Sequence, residues 1–228
     1  MKSYNFSHIG KRDRNEDCFL ERRLTPKSSI YIVADGMGGY SNGEIAAQIV
    51  TQSISEYLAN DKSKNSYISS IKKAVMFANQ QVQEMRGRLN TKMGATFAAL
   101  YFTPRHLFAF WMGDVRIYQF QNTNVVFQSK DHSMVSELNK ERKLTPMETE
   151  RYSSFVTRCI SGESFIEEVE IVELQNVEDS TFLICSDGFH RIIDPIQLSI
   201  DDLKSIEKMS KIACNANDNL TFMLIEGG

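Results

Sequence analysis

Residues 30–39 read IYIVADGMGG. Ile30, Tyr31, Ile32 and Val33 are β-branched or aromatic, and Ala34 continues the run without a polar break. An uninterrupted apolar stretch of this length predicts a strand buried on both faces, not the alternating pattern of a half-exposed one. The run stops at Asp35 and passes into the glycine-rich turn Gly36-Met37-Gly38-Gly39. A carboxylate set against the end of a buried strand is costly to desolvate unless something positive stands opposite it. One stretch therefore predicts both a central strand and a charged site at its end.

Upstream, the pattern gives strands over 4–9 and 17–21. Downstream, Ser41 with Glu44 three residues on reads as a capping box that opens a helix to about Leu58. A polar break over 60–65 precedes a second helix over 67–88, with Ile68, Ile71, Val75, Ala78 and Val82 at steps of three and four. Tyr67, Met76 and Phe77 are expected in its core-facing set, and Arg86 and Arg88 suit the negative end of its dipole. From 94 to 128 the chain turns β-rich, with strands at 95–102, 107–112, 116–120 and 125–128 whose close spacing predicts an antiparallel meander. Helices follow over 133–143 and 146–152, the latter with Pro146 in its first turn. Strands at 169–174 and 181–185, a helix over 203–213 and a strand at 220–225 complete the chain. This order suits an α+β layered domain better than a regular βαβ alternation. No repeat and no Pro/Gly/Ser-rich divider interrupts it, so 1–228 is read as a single domain.

A chain of 228 residues can bury about 70% of the surface its unfolded form exposes, so it needs no disulfide or structural metal to hold a core. Its 26 basic and 29 acidic side chains leave a net charge of -3, which gives no general attraction to nucleic acid or an anionic membrane. The amino-terminal MKSYNFSHIG lacks an apolar signal core, and the longest apolar run, LFAFWM at 107–112, falls far short of the ~18 residues of a membrane span. Cys18, Cys159, Cys185 and Cys214 form no C-x-x-C pair and no zinc spacing with histidine. Free thiols in a reducing cytoplasm are the expectation.

Carboxylates recur where apolar strands end. Asp187 follows FLICS, Asp114 follows FAFWMG, Asp218 precedes the last strand and Glu16-Asp17 head the second. Arg12, Arg14 and Arg116 are the nearby cations. A divalent metal is the simplest compensation for so many acids, and an all-oxygen ligand set favours Mg²⁺ or Mn²⁺ over Zn²⁺. Glycines after Asp35 and Asp187 would also let a backbone carbonyl approach an ion. The plainer account competes: Asp-Gly is the commonest turn dipeptide, and Asp218-Asn219 suits an Asx turn. If the acids converge, a two-metal site fits phosphoester hydrolysis, by a phosphatase or by a nuclease.

Taken in order, these residues resemble the metal-dependent protein phosphatases, the PPM or type 2C family. The likeness is carried by Arg12-x-x-Asn15-Glu16-Asp17, by Val33-Ala34-Asp35-Gly36-Met37-Gly38-Gly39 with Gly43-Glu44, and by Met93-Gly94-Ala95-Thr96. Trp111-Met112-Gly113-Asp114-Val115-Arg116, Lys130-Asp131-His132-Ser133 and Val156-Thr157-Arg158 with Gly162 continue it. Cys185-Ser186-Asp187-Gly188 and Asp218-Asn219-Leu220-Thr221 close it.

The resemblance implies a four-layer α/β/β/α sandwich of two antiparallel sheets flanked by helices, with two Mn²⁺ or Mg²⁺ ions at one edge. It implies that Asp35 bridges the ions and Gly36 lends its carbonyl, that Asp187 and Asp218 hold one ion, and that Glu16 sits beside the other. Asp17 would orient the attacking water, Arg12 would grip the phosphate, and Asp114 would tend a looser third ion. The implied enzyme is a protein-serine/threonine phosphatase working without a covalent phosphoenzyme, on phosphorylated proteins supplied by a partner kinase, as a monomer. A module of the same fold that binds phosphoproteins without turnover is the alternative.

Two departures from the family pattern stand out. Met37 occupies a position where some members carry histidine, and Val115 replaces the serine of the GDSR block. The charged stretch NKERKLTPMETER within 138–154 is where bacterial members carry a flap, and a part in substrate choice is expected of it. His8, His106 and His190 are expected to be satisfied or exposed, and His132 to help cap the helix that follows it.

Overall fold

The computed structural model describes residues 1–37, 42–61, 66–122, 124–164, 168–175, 177–195, 197 and 199–227. The strands are β1 (Lys2–His8), β2 (Asp17–Thr25), β3 (Ser28–Gly36), β4 (Ala95–Phe102), β5 (Leu107–Met112), β6 (Arg116–Gln121), β7 (Asn124–Gln128), β8 (Glu170–Leu174), β9 (Ser180–Cys185) and β10 (Leu220–Glu226). The helices are α1 (Gly43–Asn60), α2 (Tyr67–Leu89), α3 (Met134–Glu141), α4 (Pro146–Tyr152), α5 (Asp187–His190), α6 (Ile200–Lys204) and α7 (Ile206–Ala213).

The strands form two five-stranded sheets in the orders β2-β3-β4-β5-β8 and β1-β10-β9-β6-β7, antiparallel at each pairing. The apolar run of β3 is continuous because both its faces are covered. Ile30, Ile32 and Ala34 pack with Ala46, Val50 and Ile54 of α1 and Ile71 and Val75 of α2. Tyr31 and Val33 face the other sheet, with Ile117, Phe182, Ile184, Met223 and Ile225. A third cluster covers that sheet's outer face, where Leu183, Phe222 and Leu224 meet Phe189, Leu203 and Met209 of α5 to α7. The layers run helix, sheet, sheet, helix, as the resemblance implied.

Several details differ from the sequence reading. The stretch 94–128 is not one meander: β4 and β5 pair in the first sheet, and β6 and β7 in the second. The chain crosses between sheets at 113–115, turning on Gly113 at φ +106°, where a Cβ would lie 2.2 Å from Thr96 Cγ2. The helix expected over 203–213 is two, divided at Ser205, which is extended (φ -81°, ψ 99°) and caps α7 through Lys208 N–H. The four-residue α5 was not foreseen. Met76 and Ile68 are exposed, at 61% and 47%, so the buried face of α2 is narrower than its apolar spacing suggests. Ser41, Gly38 and Gly39 lie outside the described residues, and α1 has Asn42 at its N-cap without a side-chain capping bond. Of the free cysteines, Cys185 is buried, Cys18 and Cys159 are half-buried and Cys214 is exposed. Among the described residues no helix is long and apolar enough to cross a membrane.

Candidate metal centre

Strand register brings the carboxylates to one end of the sandwich. Asp17 stands opposite Asp35 across the β2–β3 pairing, and Asp35 opposite Thr96 of β4. Asp187 follows β9 as the first residue of α5, Asp218 lies just before β10, and Asp114 sits on the crossing between the sheets. Asp35 and Asp187 are close enough for each to act on the other's carboxyl.

These acids raise one another. Burial first, then the charges of its acidic neighbours, pushes the Asp17 carboxyl up to about 7. Burial and the neighbouring carboxylate of Asp187 push Asp114 up to about 7 as well. Asp35 is held well above the usual range by burial and then by Asp17, Asp187, Asp114 and Asp218. Asp187 is raised by burial, partly offset by Arg191. Glu16 is raised by burial, partly offset by the nearby backbone N–H of Gly43. Such a constellation favours a cation or retained protons.

Arginine answers only part of that demand. Arg12 Nη2 donates to Asp218 Oδ2 at 2.7 Å, and Arg191 Nη2 pairs with Asp187 Oδ2 at 2.7 Å. Arg116 is occupied elsewhere, in a bidentate pair with Asp131 at 2.8 and 2.7 Å. Arg14 offers its backbone, whose carbonyl accepts from Asn219. Among the described residues no ion pair reaches Asp17 or Asp35, and Asp17 Oδ1 is buried without a hydrogen-bond partner. An orphaned carboxylate oxygen among several neighbouring carboxylates is the donor set a hard divalent cation fits. No three acidic, histidine or cysteine side chains among the described residues close around a common point, with Asp218 and Asp187 instead turned to their arginines.

The backbone around the acids is tightly drawn in. A Cβ on Gly36 would lie 2.3 Å from the Gly43 carbonyl carbon and 2.8 Å from Glu16 O, so only glycine lets β3, the start of α1 and the 9–16 loop meet here. Asn219 holds that loop at three points. Its Oδ1 accepts from Glu16 N–H, and its Nδ2 donates to the carbonyls of Ile9 and Arg14, each at 2.8 Å. Ser186 Oγ donates to Asp17 Oδ2 at 2.8 Å and accepts from Thr221 N–H at 3.0 Å.

Two histidines brace the Asp114 turn. Burial pushes His132 and His190 each down to about 4, so both rings are neutral near pH 7. His190 Nε2 donates to the Asp114 carbonyl at 3.0 Å, and His132 Nδ1 accepts from Gly113 N–H at 3.2 Å. His132 therefore does not cap α3, whose cap is the Ser133 side chain, accepting from Ser136 N–H. Ser186, Asn219, His190 and Arg191 were not singled out as site residues from sequence, although Ser186 and Asn219 stand inside the quoted motifs.

A family model described as protein phosphatase 2C matches residues 6–215. The chain belongs to the protein phosphatase 2C family. Among relatives, it is 27% identical over 236 residues to the serine/threonine phosphatase stp of Listeria welshimeri, covering 94% of this chain and 91% of that protein. It is 27% identical over 201 residues to the serine/threonine protein phosphatase PstP of Mycobacterium tuberculosis, covering 86% of this chain and 37% of PstP. The fold agrees with a crystal structure of the M. tuberculosis phosphatase PstP/Ppp at a TM-score of 0.81 and 24% identity, over 98% of this chain and 97% of that one. It agrees also with the PstP catalytic domain in complex with 2 manganese ions, at a TM-score of 0.78 and 23% identity, over 98% and 96%. Within this protein phosphatase 2C frame, the acids gathered at the sandwich end are the candidate metal ligands.

Proposed function

We propose that this chain is a metal-dependent phosphatase acting on phosphoserine and phosphothreonine in proteins, with residues 1–228 forming a single catalytic domain. The observation that carries the reading is the gathering of Asp17, Asp35, Asp114, Asp187 and Asp218 at one end of the sandwich, with Arg12 at its rim. Family membership and relatives that are serine/threonine phosphatases support it.

Asp35, the Gly36 carbonyl, Glu16, Asp187 and Asp218 would hold two Mn²⁺ or Mg²⁺ ions, an assignment supported by the PstP catalytic domain in complex with 2 manganese ions. When bound, such a pair clamps the phosphoryl oxygens and acidifies the attacking water. The protein supplies orientation and charge. Arg12 is half exposed, so its guanidinium is free to leave Asp218 for a phosphate, which its planar fork fits in bidentate fashion. Asp17 is fixed through Oδ2 by Ser186, which leaves Oδ1 to accept a hydrogen bond from the water and aim it at phosphorus. Cys18, Cys159 and Cys185 take no part, since burial raises all three thiols, Cys185 furthest from ionisation.

The physiological setting follows from the same reading: a cytoplasmic monomer acting on the products of a serine/threonine kinase, with the α3–α4 segment beside the site contributing to substrate choice. The test is hydrolysis of p-nitrophenyl phosphate and of a phosphothreonine peptide, with and without Mn²⁺, by wild type, Asp35→Asn and Asp187→Asn. Metal-dependent turnover in wild type and its loss in both variants is expected. Folded wild-type protein without turnover at any Mn²⁺ concentration would instead favour a phosphoprotein-binding module.

A further inference from the structure

A cleft of about 710 Å³ opens at the side of the sandwich, where β7 and β8 are the edge strands of the two sheets and α3 forms the remaining wall. That volume lies within the range of ligand clefts, about 300–1,000 Å³. Its floor is Trp111 with the His132 ring stacked beside it, centroids 6.1 Å apart and planes 11° from parallel. Trp111 Nε1 donates to the Lys130 carbonyl at 2.9 Å, and Asp131 is turned to Arg116, so the 130–132 segment is held in place by the fold itself.

The charges around the cleft cancel in pairs, with one exception. Arg116 meets Asp131, Lys140 meets Glu137, and Arg158 stands 4.0 Å from Glu170. Lys130 is exposed and, among the described residues, is the cleft cation without an ion pair. Two residues on lies a buried donor. His132 is 7% exposed, and its Nδ1 accepts from Gly113 N–H at 3.2 Å, which puts the ring proton on Nε2. Among the described residues that Nε2–H has no acceptor, and it is not shut off from solvent. A buried N–H left over in this way calls for a partner from outside the fold. One unpaired ammonium beside one neutral N–H matches the single charge and two oxygens of a carboxylate. A phosphate dianion would keep half its charge uncompensated here.

We propose that this cleft is a substrate subsite that takes an acidic side chain of the phosphoprotein, its carboxylate accepting from His132 Nε2–H and paired with Lys130. The proposal deepens the phosphatase reading above and rests on it. Its link to the metal centre is geometric: Gly113, which His132 holds by its other nitrogen, immediately precedes Asp114. An extended peptide advances about 3.3 Å per residue, so a phosphorylated residue at the metal centre and an acidic residue in the cleft belong to one short stretch of chain.

The test uses the full chain with Mn²⁺ and phosphothreonine peptides of otherwise neutral sequence. Each carries one glutamate, placed in turn from four residues before the phosphothreonine to four after it. Wild type is expected to favour one placement by about three- to tenfold in kcat/KM over the peptide with glutamine there. High salt should shrink that preference, because the ammonium is exposed. Lys130→Glu, a change at an exposed position, should abolish the preference and favour lysine at the same place in the peptide. His132→Phe, which keeps the stack on Trp111 and removes the donor, should also flatten the preference; if it fails to fold, the Lys130→Glu reversal decides alone. Equal turnover at every glutamate placement, or a preference that survives Lys130→Glu, would overturn the subsite. No turnover of any peptide at any Mn²⁺ concentration would instead overturn the phosphatase reading beneath it.

Discussion

At the scale of single residues, the site depends on groups that orient the acids as much as on the acids themselves. Ser186 is the clearest: one hydroxyl both donates to Asp17 Oδ2 and accepts from Thr221 N–H. Ser186→Ala strands a buried carboxylate oxygen and a buried N–H together, so it should cost about 1–3 kcal/mol in thermal or denaturant unfolding. By loosening Asp17 it should also lower kcat by about 10–100-fold, the usual range for lost support around a metal site, with KM little changed. Cysteine at this position, a poorer donor of similar size, should fall between the two; equal activity in all three forms would refute the orienting role. Arg12 predicts the opposite kinetic split. Its guanidinium is half exposed and contributes to binding the phosphate, so Arg12→Ala should raise KM for a phosphopeptide by about tenfold or more while the protein melts normally. Asp17 and Asp35 were readable in the sequence because carboxylates at buried strand ends are conspicuous. Arg191 and His190 were not, because their partners Asp187, Ser153 and the Asp114 carbonyl meet only once two sheets and two helices have packed.

At the scale of elements, Gly113 shows what strand patterning fails to reveal. The four strands between 95 and 128 have hairpin-like spacing throughout, and nothing in their periodicity distinguishes a turn within a sheet from a crossing between sheets. The distinction lies in Gly113, whose φ of +106° and missing Cβ, which would lie 2.2 Å from Thr96 Cγ2, let the chain swing from β5 to β6. Gly113→Ala combines backbone strain with a steric overlap, so it should destabilise by about 2–4 kcal/mol, read as a lowered denaturant midpoint. It should also reduce metal binding, because Asp114 is the next residue. A substitution without measurable effect would mean that the crossing tolerates a Cβ. Where the two faces of an element have distinct partners, the sequence was far more legible: the β3 run predicted burial on both sides, and β4, β5 and α4 occupy the expected residues. The helix over 203–213 was misread because Ser205 is an unremarkable residue in a helical pattern, and its capping of α7 is a local choice that spacing does not encode.

At the scale of the whole molecule, the carboxylate cluster couples folding, protons and metal, and the sign of that coupling can be worked out. Without metal, Asp17 and Asp114 keep their protons up to about 7 in the fold, whereas in the unfolded chain they release them near the ordinary aspartate value of about 4. Between those limits the folded state binds more protons than the unfolded state, so these groups make the metal-free protein less stable as pH rises from about 4 to 7. His132 and His190 act in the opposite sense. Each is pushed down to about 4, so their contribution is present above about 6.5 and is lost as pH falls towards 4. A plain pH–stability curve therefore mixes two opposed slopes. The difference between melting temperatures with saturating Mn²⁺ and with chelator separates them, because the histidine contribution is common to both forms. Metal binds the ionised carboxylates in competition with protons, so its stabilising effect should grow from pH 5 to about 7 and level off above. For a chain of this size the increase should amount to several degrees. The same comparison in Asp17→Asn should show a shallower rise, since one of the competing protons is gone. A Mn²⁺-induced shift that stays constant between pH 5 and 7.5 would mean that these buried acids are not where the metal binds.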